Sequence, residues 1–496
     1  MQCRVGILIL ACLLLSGAIL GFGDSSGWAQ APEPVPSMSK PQVLPPLPPG
    51  TGFVPPPIDL LHLPMTFPAA RAKAMIQQPT AQWDWRWSGD VTSVKNQGAC
   101  GACFAFASIA NFESKILVDG GSSLDLSENN AKECPYVDPP CSTGGTYYQT
   151  AELFSHKGTV LETDDPYVAS DTSCNSTVSY RQTMLDWCII SGGAVPTTSA
   201  LKSYIHSNGP VYTTFYVGTG SGDPWYDELG IYDGSYGLYH PSTGATPNHA
   251  VMIVGWDDNK VIRQGGPGGT IMGTGCWIVK NSWSSGWGDS GYFHIAYQHA
   301  EIGKWSSFLN QWQTYDTNGG LLYIDEEGWN TQSCGWDWSQ NWGLARLDAS
   351  GITSTKAWAI EFYTNDVTTD VDVYLYDSFN TASGGTLGTL LAQSLNNSFS
   401  EAGYHQVRLP TPYPDIGTTP GRSNPAAVVR ITNQTYGSPT STVCGGPLAS
   451  GRSYISVNGT NGSWVETSTW TPYNSDVCVR IRTSTSPPAV SDAELY

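Results

Sequence analysis

The sequence predicts an α+β protein in which a mixed unit of helices and strands precedes an antiparallel, jelly-roll-like β-sandwich. Three observations lead there. From Trp83 to about Ala300, helical periodicity gives way to apolar, strand-like runs. After Thr353, short segments alternate apolar and polar residues and are separated by Gly, Ser, Thr, Asn and Pro turns. At 496 residues the chain is long enough for two or three cores, and its 54 glycines and 11% aromatic content suit strands and loops rather than disorder.

The first element is an export signal. Arg4 is a short basic region, "VGILILACLLLSGAIL" (5–20) is the apolar stretch, and Gly27-Trp28-Ala29 offers a cleavage site before Gln30. An uncleaved anchor, or a lipoprotein processed before Cys12, are the alternatives. No other run reaches the ~18 apolar residues of a membrane span. Residues 30–80 form a proline-rich segment, which must be extended. It reads either as a flexible linker or as a short pro-segment, with "GFVPPPIDLLHL" (52–63) apolar enough to dock on a surface.

The mixed unit spans 81–300. A helix follows Cys103, with Phe106, Ile109, Phe112 and Ile116 at steps of three and four and Gly120-Gly121 to end it. The runs "GPVYTTFYV" (209–217), "HAVMIVGW" (249–256) and "CWIVKNSW" (276–283) read as strands. A connector is expected over 301–341, the sandwich over 342–485 and a tail over 486–496. In "TDVDVYLYDS", Val371, Val373 and Leu375 face one way while Asp370, Asp372 and Tyr374 face the other, a period of two that recurs along this region. Acids outnumber bases 42 to 23, for a net charge of −19, so no basic surface exists to displace counterions from nucleic acid.

The chemistry concentrates in "NQGACGACFAFASIANFES" (96–114). Its Cys-x-x-Cys could be redox-active, half a zinc site, a disulfide partner beside a nucleophile, or packing. The first wants a βαβ context and the second another ligand pair at similar spacing; the sequence has neither, so no metal or cofactor is expected. Exported cysteines form disulfides by default. Cys103 sits where the helix begins, and the unpaired N–H groups there favour a thiolate modestly. A large effect needs an imidazolium partner. His249, opening an otherwise apolar strand, is the candidate; Asn281 follows in "WIVKNSWSSGWGDSGYF" and can orient the ring by accepting its Nδ1–H, aiming Nε2 at the sulfur.

"QGACGACFAF", "NHAVMIVGW" and "KNSWSSGWGDSGYF" together resemble the three signature blocks of the papain-like (C1) cysteine peptidases, in that family's order. His249 falls within the ~130–150-residue spacing from the cysteine, while Asn281 lies beyond it, implying insertions. The resemblance implies a two-lobed domain, one lobe helical and one β. It implies Cys103 as nucleophile, His249 as general acid/base, Asn281 as orienting amide, and Gln97 with the Cys103 N–H as oxyanion donors. Trp283 would shield the His–Asn bond. Gly144, Gly145 and Ala250 would line the substrate path. Cys100 would brace the loop by a disulfide to Cys141, with Cys134 paired to Cys174.

Departures accompany the resemblance. Phe104 and Asn248 replace the family's usual tryptophan and aspartate, "CSTGG" is one residue longer than usual, and the long helical prodomain is missing. Cys188, Cys276, Cys334, Cys444 and Cys478 are left, with Cys444–Cys478 a guess within the sandwich. The C-terminal region resembles the lectin-like sandwich appended to some prokaryotic members, which implies a carbohydrate or cell-surface ligand. Trp464 and Trp470 are sugar-stacking candidates or core.

The expectation is therefore a secreted cysteine endopeptidase acting on protein or peptide substrates. The alternatives are an adhesion protein with a vestigial peptidase domain and a thiol acyltransferase. Because all four catalytic candidates precede the alternating strands, a chain ending near Asn341 is expected to retain short-peptide hydrolysis.

Overall fold

The computed structural model describes residues 51–56, 60–63, 80–329, 332–334, 339–352, 355–437, 440–443, 448–469 and 474–488. The export signal, most of the proline-rich segment, Cys444 and Trp470 lie outside them. Among the described residues no helix is long and apolar enough to cross a membrane.

The helix expected after Cys103 is α1 (Cys103–Val118). It ends where Gly120 adopts φ +80° and the Gly120 and Gly121 N–H groups bond back to Leu117 and Ile116. Only Lys115, Leu117 and Val118 escape full burial. The helix is therefore enclosed almost all round rather than along one stripe. Ser127 caps α2 (Glu128–Glu133), and a Thr146/Gln149 capping box starts α3 (Tyr147–His156). These helices form one lobe.

The other lobe is built from β1 (Tyr180–Ile189), β2 (Val211–Phe215), β3 (His249–Gln264), β4 (Thr270–Lys280), β5 (Tyr292–Ala296) and β6 (Lys304–Thr314). Strand β3 pairs with β2 and β4, β4 pairs with β5, and Gly237–Leu238 bridges β5 back to β3, closing the sheet on itself. Phe215, Ile253, Trp256, Trp277 and Phe293 fill its interior. Strand β6, within the stretch expected as connector, runs between β1 and β2.

The C-terminal strands include β7 (Gln340–Arg346), β8 (Thr355–Thr364), β9 (Thr368–Tyr376), β10 (Ala402–Arg408), β11 (Ala426–Asn433) and β12 (Val479–Ser484). One layer is six-stranded, with β9–β11–β7 at its centre. Its inward Val371, Val373 and Leu375 pack on Ile360, Phe362, Val407 and Ile481 of the other layer. The alternation of β9 is thus a face assignment, as its period of two requires.

The sandwich has its own core but is not structurally separate. Strand β10 pairs with β1, setting Gly403 opposite Cys188 and Tyr404 opposite Trp187. One 14-stranded sheet therefore runs through both regions. Where they meet, Trp187, Tyr363, Tyr404 and Trp329 share a core with Tyr147 and Phe104. The guessed Cys444–Cys478 bond is not formed, because Cys478 is a buried unbonded thiol. Trp464 is buried with Phe379 and Tyr454, as core.

Candidate active site

Helix α1 delivers Cys103 at its first turn, and β3 delivers His249 at its first residue. Both are wholly buried. The Ala250 N–H, one residue past the histidine, donates to the Cys103 sulfur at 3.3 Å. Ala250, expected to line the substrate path, therefore also holds the thiol. His249 Nε2 meets Asn281 Oδ1 at 2.8 Å, and Asn281 Oδ1 also accepts the Ser282 N–H. Nδ1 is buried without a hydrogen-bond partner. This reverses the expected use of the ring nitrogens: the amide holds Nε2 and leaves Nδ1 for proton traffic. Sequence spacing cannot choose between them, because the ring's orientation follows from where β3 meets the strand before Asn281. Trp283 stacks on the imidazole with centroids 4.8 Å apart and 29° between planes.

Gln97 is anchored by Cys100 and by two residues the sequence did not single out, Ser282 and Tyr167. Its Nε2 donates to the Cys100 carbonyl at 2.9 Å, its Oε1 accepts from Ser282 Oγ at 2.5 Å, and its carbonyl accepts from Tyr167 Oη at 2.8 Å. Cys100 is bonded to Cys141 and Cys134 to Cys174. The first bond ties the loop before Cys103 to the one that carries Gly144 and Gly145.

The cleft contains a piece of the chain itself. The Gly145 N–H donates to the Gly52 carbonyl at 2.9 Å, and the Val54 N–H donates to the Gly145 carbonyl at 3.0 Å, a parallel bridge centred on Phe53. The Gly52 and Phe53 N–H groups both reach the Asn248 carbonyl at 3.2 Å. Gly144 has φ +73°, and a Cβ there would lie 1.8 Å from the Gly52 oxygen, so only glycine lets this strand approach. Phe53 is buried beside Tyr147, Trp187 and Tyr212. Farther along, Leu60 packs at Gly192 and His62 stacks on Tyr436 of the sandwich, at 3.9 Å.

With this strand docked, Cys103 and His249 are fully buried. Burial pushes the Cys103 thiol up to about 12, against the N–H groups of Ala250, Phe104, Gly52 and Cys103 that point at the sulfur. Burial holds the His249 imidazole down to about 4, against its bond to Asn281. In this closed form the pair is thiol and neutral imidazole, not the ion pair that the sequence suggests.

With this geometry in place, the comparisons with known proteins can be weighed. Residues 79–309 match the papain family cysteine protease model, and residues 325–483 match a lectin-like domain model. Viral cathepsin of Spodoptera litura multicapsid nucleopolyhedrovirus is 32% identical over 211 residues, which are 42% of this chain and 55% of that protein. Ananain of Ananas comosus is 32% identical over 219 residues, 43% of this chain and 54% of that protein. The chain thus spans about half the length of these relatives. The crystal structure of the cysteine protease and lectin-like domains of Cwp84, a surface layer associated protein of Clostridium difficile, superposes with a TM-score of 0.66. That alignment covers 83% of this chain and 90% of that one at 18% identity, a likeness of fold across both regions. The fold and the two family matches agree: residues 79–309 belong to the papain family of cysteine proteases, and a lectin-like domain follows them.

Proposed function

We propose that the protein is an exported cysteine peptidase that hydrolyses peptide bonds and is held latent by the docked strand at residues 51–56. The observation that carries this reading is Cys103, at the start of α1, its sulfur held by the Ala250 N–H next to a histidine whose Nε2 is fixed by Asn281 and whose Nδ1 has no hydrogen-bond partner. In the proposed reaction Nδ1 takes the thiol proton and the sulfur attacks the peptide carbonyl. The Cys103 N–H and one Gln97 Nε2–H hold the oxyanion; an amide nitrogen carries two protons, so the bond to Cys100 leaves one for substrate. The Nδ1–H then protonates the departing amine, leaving a thioester. Water, deprotonated by Nδ1, releases the acid and regenerates the thiol.

Latency is supported by how the strand is docked. The strand's backbone is tied down on both sides, by Gly52 and Phe53 N–H to the Asn248 carbonyl and by the bridge to Gly145, so it occupies the cleft in place of a substrate backbone. Export is supported by the N-terminal apolar stretch and by two disulfides, which persist in oxidising compartments. The similarity to a surface-layer protease is consistent with a cell-surface location. The proposed boundaries are those of the sequence reading: a signal over 1–29, a pro-segment over 30–80 and the peptidase from 81.

Cys103→Ala tests the reading. After displacement of the segment, the variant is expected to fold and to hydrolyse no peptide. Equal activity in variant and parent overturns the mechanism. Product analysis with an added amine separates hydrolysis from acyl transfer.

A further inference from the structure

We propose that the lectin-like domain completes the substrate cleft, supplying one wall of a subsite for a bulky apolar side chain. That side chain would belong to the third residue on the acyl side of the scissile bond. The inference rests on the peptidase reading above.

A cavity of about 280 Å³ opens beside Gly144 and Gly145. On the peptidase side it is walled by Tyr136, Val137 and Tyr148, and on the other side by Glu327 and Trp329, which lie in the lectin-like region. Its floor is Val54, Pro55 and Pro56 of the docked strand. That strand is a ruler: Gly52 packs on Gly101 in the loop just before Cys103, Phe53 fills the apolar recess by Tyr147 and Trp187, and Val54 opens onto this cavity. A peptide replacing the strand would therefore meet the cavity at its third residue from Cys103. The lining is mostly apolar and aromatic, which suits a large apolar side chain.

The wall is fixed to the cleft. Gly328 has φ +67°, and a Cβ there would fall 1.8 Å from Glu152 Oε2 of α3. Arg480 of β12 bonds both oxygens of Asp325 and also Glu152, so one buried guanidinium ties the 325–329 turn to the helix that begins at the cleft. Glu152 is further held by Tyr363 of β8. Trp329 packs edge-on against Tyr148 of α3, with centroids 6.2 Å apart, and lies 5.9 Å from Tyr363 of β8, and it is 2% exposed. The turn belongs to the sandwich by sequence and to the cleft by position.

The test measures labelling of Cys103 in the full chain by peptidyl epoxides that differ only at the third residue, phenylalanine against glycine. Opening of the docked strand precedes both reactions, so it cancels in the ratio of their rate constants. Burying the ring predicts a ratio of roughly 10 to 100. In Trp329→Ala the ratio should fall at least fivefold, while the ratio for phenylalanine against glycine at the second residue stays as in the parent. Should Trp329→Ala fail to fold, Glu327→Lys serves. It should raise labelling by a probe with glutamate at the third residue relative to glycine, again without changing the second-residue ratio. A parent ratio near one, or ratios untouched by a folded variant, overturns the inference and leaves the peptidase reading standing. Failure of every probe to label Cys103 instead removes the reading on which it rests.

Discussion

Of the buried polar clusters among the described residues, the one at the cleft and the one at the junction with the lectin-like domain are built on opposite terms. At the cleft Cys103 and His249 are neutral, and His249 Nδ1 and Asn281 Nδ2 are buried without partners. At the junction ion pairs dominate, Arg480 with Glu152 and Asp325, and Arg482 with Glu361, which also binds Tyr404; Arg480 Nη1 alone among these contacts is buried without a hydrogen-bond partner. Unpartnered buried polar atoms cost stability, so they are tolerated where a ligand or proton will later use them. Paired buried charges resist separation, because losing one partner strands the other in low dielectric. The difference separates a site that must react from an interface that must not move.

The largest test of this contrast is truncation near Asn341. The sequence suggests that short-peptide hydrolysis survives it. The structure predicts the reverse: deletion removes β8, β10 and β12, leaves Glu152 without Arg480, and exposes Trp187 and Tyr147. Complete loss of activity together with loss of cooperative thermal unfolding is expected. A folded, active truncate shows that the two regions are independent.

Arg480→Met should be next. It leaves Glu152 and Asp325 as unpaired buried carboxylates, at a cost of about 3–5 kcal/mol read from denaturant unfolding. Adding Glu152→Gln and Asp325→Asn should recover much of that loss. If the single variant is as stable as the parent, the junction is not held by these charges.

At the cleft, effects should appear in rate more than in stability. Gln97→Ala should lower kcat by ~10²–10³, as loss of an oxyanion donor does. Asn281→Ala should cost on the order of 10²-fold, since it orients the ring and does not react. Both should lower the denaturant midpoint less than Arg480→Met does, since each strands neutral hydrogen-bonding groups rather than buried charges.

The two clusters should also differ in pH dependence. Burial raises the Cys103 thiol to about 12, so alkylation of the closed form should climb with pH well beyond neutrality; Phe53→Ala, which loosens the docked strand, should bring the profile down toward the ordinary range near 8.5. An unshifted profile means that the strand is not what buries the thiol. Burial would raise the Glu152 carboxyl, but Arg480 and His156 outweigh it and hold the group down to about 2. A depressed carboxylate stabilises the fold above its unfolded value, and that contribution is lost as pH falls from about 4.5 toward 2. Acid unfolding should therefore weaken in Glu152→Gln.

The sequence by itself determined the chemistry. Cys103, His249 and Asn281 stood out by residue type, position and spacing, and Gln97 through the resemblance of their three blocks to a known family. The alternation of Val371, Val373 and Leu375 likewise fixes their face, since a strand's period of two is a local property. Even the N-terminal segment's apolar docking stretch was legible, though not where it docks. Tertiary structure alone decided which imidazole nitrogen meets Asn281, that Phe53 lies in the cleft, and that β1 and β10 join two regions into one sheet. It also placed Arg480 against Glu152, which lie 328 residues apart. Such contacts depend on side-chain direction and long-range strand register, and no local pattern of residues encodes either one.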